Sequence, residues 1–124
     1  MNFRTLSLCA GAALAVTFAD SKDEDVIKEV MKKYHKAPQG QDYLAKKAAM
    51  GKASPEEMKE LVAAYTKMAK THPPKGEEAS WKEKNTKLVA AAKALQNGDA
   101  NGVDLFKEAS NCKACHMAHR PEKN

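Results

Sequence analysis

The chain has few large apolar side chains and no pattern typical of β-strands. Its 124 residues include only one Trp, three Tyr and three Phe. No stretch shows the sustained alternation of β-branched and polar residues that marks strands, and no Asn-Gly turn joins two apolar runs. The sequence therefore excludes a β-sheet protein. Its alanine-rich apolar stripes would fill a core poorly unless a sizeable apolar ligand shared that core.

The sequence also lacks the patterns that usually accompany catalysis. No paired carboxylates, nucleophile–base pair or phosphate-binding loop occurs, so we predict that the protein is not an enzyme. Lysines are numerous but dispersed, and no basic run is dense enough to form a nucleic-acid groove. These absences favour a protein that neither turns over a substrate nor binds nucleic acid.

The first 19 residues differ from the rest of the chain. A short basic start, MNFR, precedes the apolar run TLSLCAGAALAVTF, and small residues at Thr17 and Ala19 come just before the acidic stretch DSKDED. This order is typical of a secretory signal peptide, here cleaved after Ala19. The apolar run is shorter than the roughly 20 residues that span a bilayer. We therefore predict a signal peptide at 1–19 and an exported, periplasmic domain at 20–124, without a membrane span after cleavage.

Cleavage would change both the net charge and the number of cysteines. The chain has 21 basic and 16 acidic residues, and loss of Arg4 leaves 20 basic residues and a net charge of +4. Such a charge fits attraction toward acidic protein partners. Cys9 would also be lost, which leaves only Cys112 and Cys115. A disulfide between these two would close a very small loop and add little stability, so the pair indicates another use.

Helical periodicity runs through the remaining sequence. Four amphipathic segments are present. The second has the clearest start, with Ser54 as N-cap, Pro55 in the first turn and Glu57 completing a capping box. The third begins near Trp81. Residues 41–50 are either a short helical piece or a continuation of the first segment, and they end at Gly51. Short connections between the segments predict an all-α, antiparallel four-helix bundle. The four segments are residues 23–36, 54–70, 79–98 and 99–120.

The stretch CKACH near the end of the chain carries the most specific signal. On a helix, Cys112, Cys115 and His116 leave the same face, because they are three and four residues apart. Cys-x-x-Cys-His is the attachment motif of c-type haem, in which two thiols bond to the vinyl groups and the histidine binds iron. We therefore predict one haem c, covalently attached near the C-terminus.

Two other uses of these cysteines are weaker. A zinc site needs four ligands, and the remaining histidines, His35, His72 and His119, are not paired as a zinc motif requires. A thioredoxin-like pair expects a βαβ context, which this sequence lacks. A Cys/His metal-binding module therefore stays only as a distant alternative.

The C-terminal third resembles a known family. CKACH followed by MAHR, and preceded by SW, LVAAAKALQNGD and LFKEA, is similar to the class II c-type cytochromes, the four-helix-bundle monohaem group of cytochrome c-prime and its low-spin relatives. The resemblance covers residues 79–120 closely and residues 20–70 only in architecture. It implies that Cys112 and Cys115 form the thioether bonds and that His116 is the proximal iron ligand.

The same resemblance suggests roles for three neighbouring residues. Arg120 matches the arginine of the family and would lie near a haem propionate. Trp81 matches an aromatic residue that packs in the bundle, and His119 stands where the family usually has Phe or Tyr.

The opposite side of the iron decides the function. In the family, the first helix covers that side: low-spin members supply a Met sulfur, and cytochrome c-prime leaves the iron open. This chain offers Met31 and His35, one turn apart, and the sequence leaves open whether either of them binds. We expect a one-electron carrier that serves redox partner proteins. A gas-binding or NO-handling protein is the alternative if the site is open, and pairing of the bundle as a homodimer is left open.

Overall fold

The computed structural model describes residues 21–120, so the predicted signal peptide at 1–19 lies outside the described residues. No strand occurs within this range, which confirms the all-α prediction. No helix between these bounds has both the length and the apolar character needed to cross a membrane. The helices are α1 (Ser21–Tyr34), α2 (Leu44–Ala49), α3 (Pro55–Ala69), α4 (Glu78–Gln96), α5 (Gly102–Ala109) and α6 (Cys112–His119).

The start of α3 is fixed by the capping box that the sequence predicts. The Ser54 hydroxyl accepts a hydrogen bond from the Glu57 backbone N–H at 3.1 Å, and the Glu57 carboxylate accepts one from the Ser54 N–H at 3.0 Å. The second carboxylate oxygen of Glu57 lies 2.8 Å from Lys47 Nζ, which ties α2 to the first turn of α3. Two backbone donors that the first helical turn leaves unpaired are thereby satisfied.

The core lies between α1, α2, α3, α4 and α5. α3 packs most extensively against α4, which in turn holds α5, while α1 covers another side of α3. Leu61, Tyr65 and Phe106 are the largest apolar side chains that are fully enclosed. Alanines supply much of the remaining core surface, as the sequence indicates, including Ala45, Ala48, Ala91 and Ala92.

The prediction of one continuous helix over 99–120 is wrong. α5 ends at Ala109 and α6 begins at Cys112, because Asn111 adopts an extended backbone with φ −64° and ψ 96°. Its side-chain oxygen accepts a hydrogen bond from the Ala114 N–H at 3.1 Å. Asn competes with the helical backbone for such bonds, so it favours a cap over a helix interior. The break places Cys112 in the first turn of a new helix.

Candidate functional site

A cavity of about 530 Å³ lies where α1, α3, α4, α5 and α6 meet. Its volume falls in the range of roughly 300–1,000 Å³ that is usual for small-molecule and cofactor sites. Much of its wall is apolar, including Met68, Leu88 and Ala91. Five residues predicted from the sequence as site residues line it together: Met31, His35, Cys112, Cys115 and His116.

One wall of the cavity is the face of α6. Cys112 and His116 are exposed and Cys115 is partly buried, and all three line the cavity. Both cysteines are free thiols. Burial raises the pKa of Cys115, although the positive charge of Lys84 opposes this. A thiol with a raised pKa stays protonated near neutral pH, so Cys115 is not arranged as an activated redox nucleophile.

His116 is poised as a neutral imidazole. Partial burial lowers its pKa, and the positive charge of Arg120 lowers it further. The neutral ring is the form of histidine that binds metals. Arg120 itself is exposed and caps the end of α6, where its backbone N–H bonds to the His116 carbonyl at 3.0 Å, and it is not among the residues that line the cavity.

His119 anchors α6 to the rest of the fold. Only 2% of this residue is exposed, and it is the one side chain of α6 that is buried. Its Nδ1 lies 2.8 Å from the Lys75 carbonyl oxygen and its Nε2 lies 3.1 Å from the Ser80 hydroxyl. Because a carbonyl can only accept, the ring proton is on Nδ1, and Ser80 donates to Nε2.

Trp81 packs against His119 and so supports the anchor of α6. Its ring meets that of His119 edge to face, with centroids 5.2 Å apart and an interplanar angle of 72°. Its indole N–H donates to the Thr71 carbonyl at 3.0 Å. Trp81 is buried and is not among the residues that line the cavity, but its backbone carbonyl accepts a hydrogen bond from Asn85, which does line it.

Gly76 lets the linker before α4 approach the end of α6. Its φ is +84°, in the left-handed region that favours glycine. A Cβ here would collide with the Ala118 carbonyl oxygen and would lie 2.9 Å from Nδ1 of His119. The anchor of α6 therefore depends on the absence of a side chain at this position.

The cavity wall opposite α6 includes part of α1 and His35, the residue that follows it. Met31 and His35 both line the cavity and are partly buried. His35 Nε2 lies 2.9 Å from the hydroxyl of Tyr65, and the Tyr43 ring stacks on the imidazole with centroids 6.4 Å apart. Burial lowers the pKa of His35 to about 4, and the charge of His116 contributes in the same direction. The imidazole of His35 is therefore neutral at pH 7.

Asn85 lines the cavity and also carries a buried polar atom without a partner in the described part of the chain. The residue is 3% exposed, and its amide N–H donates to the Trp81 carbonyl at 2.9 Å. Within residues 21–120 its Oδ1 has no hydrogen-bond partner. Leaving a buried acceptor unpaired costs about 1–3 kcal/mol, so Asn85 Oδ1 lowers the stability of this part of α4.

Sequence reasoning missed two residues of this site. Tyr65 shares the apolar stripe of α3 and was expected only to fill the core. Asn85 carried a usable signal, because a polar residue stands four residues after Trp81 and three before Leu88 on the buried face of α4.

No protein-family model, curated protein or solved structure matches this chain. Between residues 21 and 120, no group of three or more His, Cys, Asp or Glu side chains is arranged to hold a metal ion. The alternative of a Cys/His metal-binding module therefore has no preformed ligand cluster in this part of the chain.

Proposed function

We propose that the chain is a periplasmic monohaem c-type cytochrome that carries one electron at a time between redox partner proteins. The observation that carries this proposal is the composition of one cavity. The two thiols and the imidazole of the attachment motif line one side, and Met31 and His35 line the other. A porphyrin between them would have an attachment edge, a proximal ligand and candidates for the distal ligand.

The residues at the cavity fit a covalently attached haem. Cys112 and Cys115 would hold it through thioether bonds, and His116 would bind the iron with its neutral imidazole. When bound, the haem supplies a one-electron change between Fe(II) and Fe(III). The chain contributes largely apolar walls, which include Met68, Leu88 and Ala91.

We further propose that α1, α3, α4 and the broken pair α5–α6 correspond to the four helices of the class II bundle, with α2 as a connection. Bundles of this kind build cofactor sites from side chains on facing helices. The motif on α6 and the distal candidates at the end of α1 match that principle.

Charge at the cavity rim is balanced locally. Lys84 and Lys87 lie beside Glu83 and Glu108 among the residues that line the cavity. Attraction toward an acidic partner would therefore come from the net charge of +4 of the processed chain rather than from a dense basic ring.

Mass spectrometry of the exported protein tests the proposal most directly. The full chain is produced in a host with periplasmic haem-maturation machinery, and its intact mass is measured after denaturation. We expect a polypeptide that begins at Asp20 and is heavier by one haem group, since thioether bonds survive unfolding. Cys112→Ala/Cys115→Ala should abolish the added mass, whereas Lys113→Ala, between the two cysteines and exposed, should retain it. A bare polypeptide mass for the unaltered chain would refute the proposal.

The electronic spectrum of the same preparation separates the electron carrier from a gas-binding protein. A low-spin spectrum in both oxidation states supports a carrier with two axial ligands. A high-spin spectrum that changes when CO or NO is added would instead assign the cavity to gas binding.

A further inference from the structure

We propose that the outward side of α6 is the surface on which an acidic redox protein docks. The surface consists of Lys113, Met117 and Arg120, which we name the outer stripe. The inference rests on the proposed function, because a docking surface for electron transfer presupposes a haem attached to α6. It gives that function a place on the molecule and a class of partner: a protein that presents carboxylates around an apolar centre.

The outer stripe runs along one side of α6. Its three residues follow one another at spacings of four and three, so their side chains leave the same side of the helix. All three residues are exposed, whereas His119, on another side of α6, is buried in the anchor. The side chains of the outer stripe are therefore not those that hold α6 in the fold.

Met117 is the most exposed large apolar residue between residues 21 and 120. Its exposed fraction is 71%, against 40% for Met50 and 39% for Leu105. A single exposed apolar residue is common on protein surfaces, but Met117 stands between two cations. Methionine and arginine are both enriched at protein–protein interfaces, and a flexible thioether adapts to partners of different shape. The outer stripe thus has the apolar centre and the charged edge of a small interface.

The two cations of the outer stripe are not neutralised within the described part of the chain. Residues 109–120 contain no Asp or Glu, and between residues 21 and 120 neither Lys113 nor Arg120 forms an ion pair. Other lysines are paired with carboxylates: Lys33 with Glu60, Lys46 with Asp42, Lys47 with Glu57 and Lys87 with Glu83. The positive charge of the outer stripe therefore remains for a partner. Two copies of this chain paired through it would bring like charges together.

The position of the outer stripe suits electron transfer. Cys112, Cys115 and His116 are on the same helix of 8 residues, so a protein bound to the outer stripe would be close to the proposed haem-attachment residues. The net charge of the processed chain attracts an acidic protein from a distance, and the outer stripe decides where that protein binds. Weak redox complexes usually bury less than about 1,200 Å², so a stripe of three residues can form the centre of such a contact.

Association with flavodoxin, an acidic electron-transfer protein, tests the proposal. The dissociation constant of the exported, haem-bearing chain is measured at several ionic strengths. In Lys113→Glu/Arg120→Glu we expect the dissociation constant to rise at least about tenfold at low ionic strength. Its salt dependence should also weaken, because salt screens attraction between exposed charges.

The matched control is Lys52→Glu/Lys93→Glu, which changes the net charge by the same amount. Both lysines are exposed. Lys93 is in the last turn of α4, whereas Ser80, which binds His119 of α6, is in the first turn of α4. Lys52 lies in the connection between α2 and α3. The control should raise the dissociation constant by less than about threefold. Equal effects of the two double variants would show that net charge alone attracts flavodoxin, and would overturn the proposal.

Met117→Ala isolates the apolar part of the outer stripe. The dissociation constant should rise about 3- to 10-fold at every ionic strength, and its salt dependence should stay that of the unaltered chain. A carbodiimide, which joins amines to carboxylates in direct contact, should link flavodoxin to Lys113, as found by mass spectrometry of the cross-linked peptides. Unchanged affinity of Met117→Ala, or cross-links that avoid Lys113, would contradict docking on the outer stripe.

Other occupants of the outer stripe would give different results. If the unaltered chain forms a dimer that Met117→Ala dissociates, a second copy covers the surface and the proposal fails. If vesicles of anionic phospholipid bind through Lys113 and Arg120 and flavodoxin does not compete, the surface serves a membrane and the proposal also fails. A haem-bearing chain that does not bind flavodoxin refutes only the docking surface, whereas absence of haem from the exported chain refutes the proposed function itself.

Discussion

Helices α3 and α6 face the same cavity but are held in the fold in opposite ways. α3 has 15 residues, begins with a complete capping box and buries four apolar side chains: Met58, Leu61, Tyr65 and Met68. α6 has 8 residues and buries only His119, while its cysteines and His116 line the cavity. The comparison shows that the scaffold and the reactive groups are on separate helices. A group that filled the cavity would give α6 the buried contacts that its own sequence does not provide.

The largest expected effect comes from removing the one buried side chain of α6. His119→Ala deletes an enclosed ring, its edge contact with Trp81 and two hydrogen bonds. Deleting a buried ring typically costs about 3–5 kcal/mol, so we expect a loss of that size in the free energy of unfolding. Chemical denaturation of the unaltered protein and the variant measures it.

Met117→Ala is the matched control on the same helix. Met117 is 71% exposed, so its loss should change the free energy of unfolding by no more than about 0.5 kcal/mol. Equal effects of His119→Ala and Met117→Ala would show that α6 is not anchored through His119.

Acidification should lower the stability of the protein through His35, on the cavity wall opposite α6. His35, which faces Tyr43, Tyr65 and His116, has a pKa of about 4 in the fold against 6.5 in the unfolded chain. Between these values the unfolded chain binds more protons, so stability falls as the pH drops. The stability is fully present above pH 6.5, and about 2–3 kcal/mol should be lost by pH 4.

Denaturation curves at several pH values test this dependence. His35→Gln is the control, because an amide can still form a hydrogen bond with Tyr65 but does not titrate. The difference between the two proteins should grow from pH 6.5 downward. Parallel pH profiles would contradict the assignment of a buried, neutral His35.

The smallest effect concerns the contact between the linker and the end of α6. Gly76 and Gly40 both have positive φ, +84° and +87°, but a Cβ at Gly76 would strike Ala118 and His119, whereas nothing lies within 4 Å of one at Gly40. Both alanine substitutions destabilise the protein because alanine disfavours the left-handed backbone conformation. Gly76→Ala should cost about 1–2 kcal/mol more, the size of a moderate overpacking penalty. Equal losses of stability in the two variants, measured by thermal unfolding, would show that the linker at Gly76 is not packed closely against α6.

Patterns close in sequence were enough to predict the main helices. The capping box at Ser54 and Glu57 and the end of α4 at Asn97-Gly98 follow from local rules, and the structure confirms them. Of the two alternatives for residues 41–50, the structure shows the short helix, α2. The break at Asn111 was missed because apolar periodicity continues across it. A single side-chain cap outweighed that periodicity.

The cavity depends on contacts between residues far apart in the chain. The hydrogen bond between Tyr65 and His35 joins positions 30 residues apart, and that between His119 and Lys75 joins positions 44 apart. Spacing along a helix cannot reveal such pairs. In the sequence, Tyr65 and His119 therefore cannot be told from other ring-bearing core residues. Only the packing shows which hydrogen bonds their polar atoms form.

The extended backbone at Asn111 divides the C-terminal segment into two helices that are held in different ways. Phe106, which is fully buried, fixes α5 in the core, whereas α6 is fixed near its far end by His119. Under the proposed function, a haem joined to Cys112 and Cys115 would therefore be attached between these two fixed points of the chain.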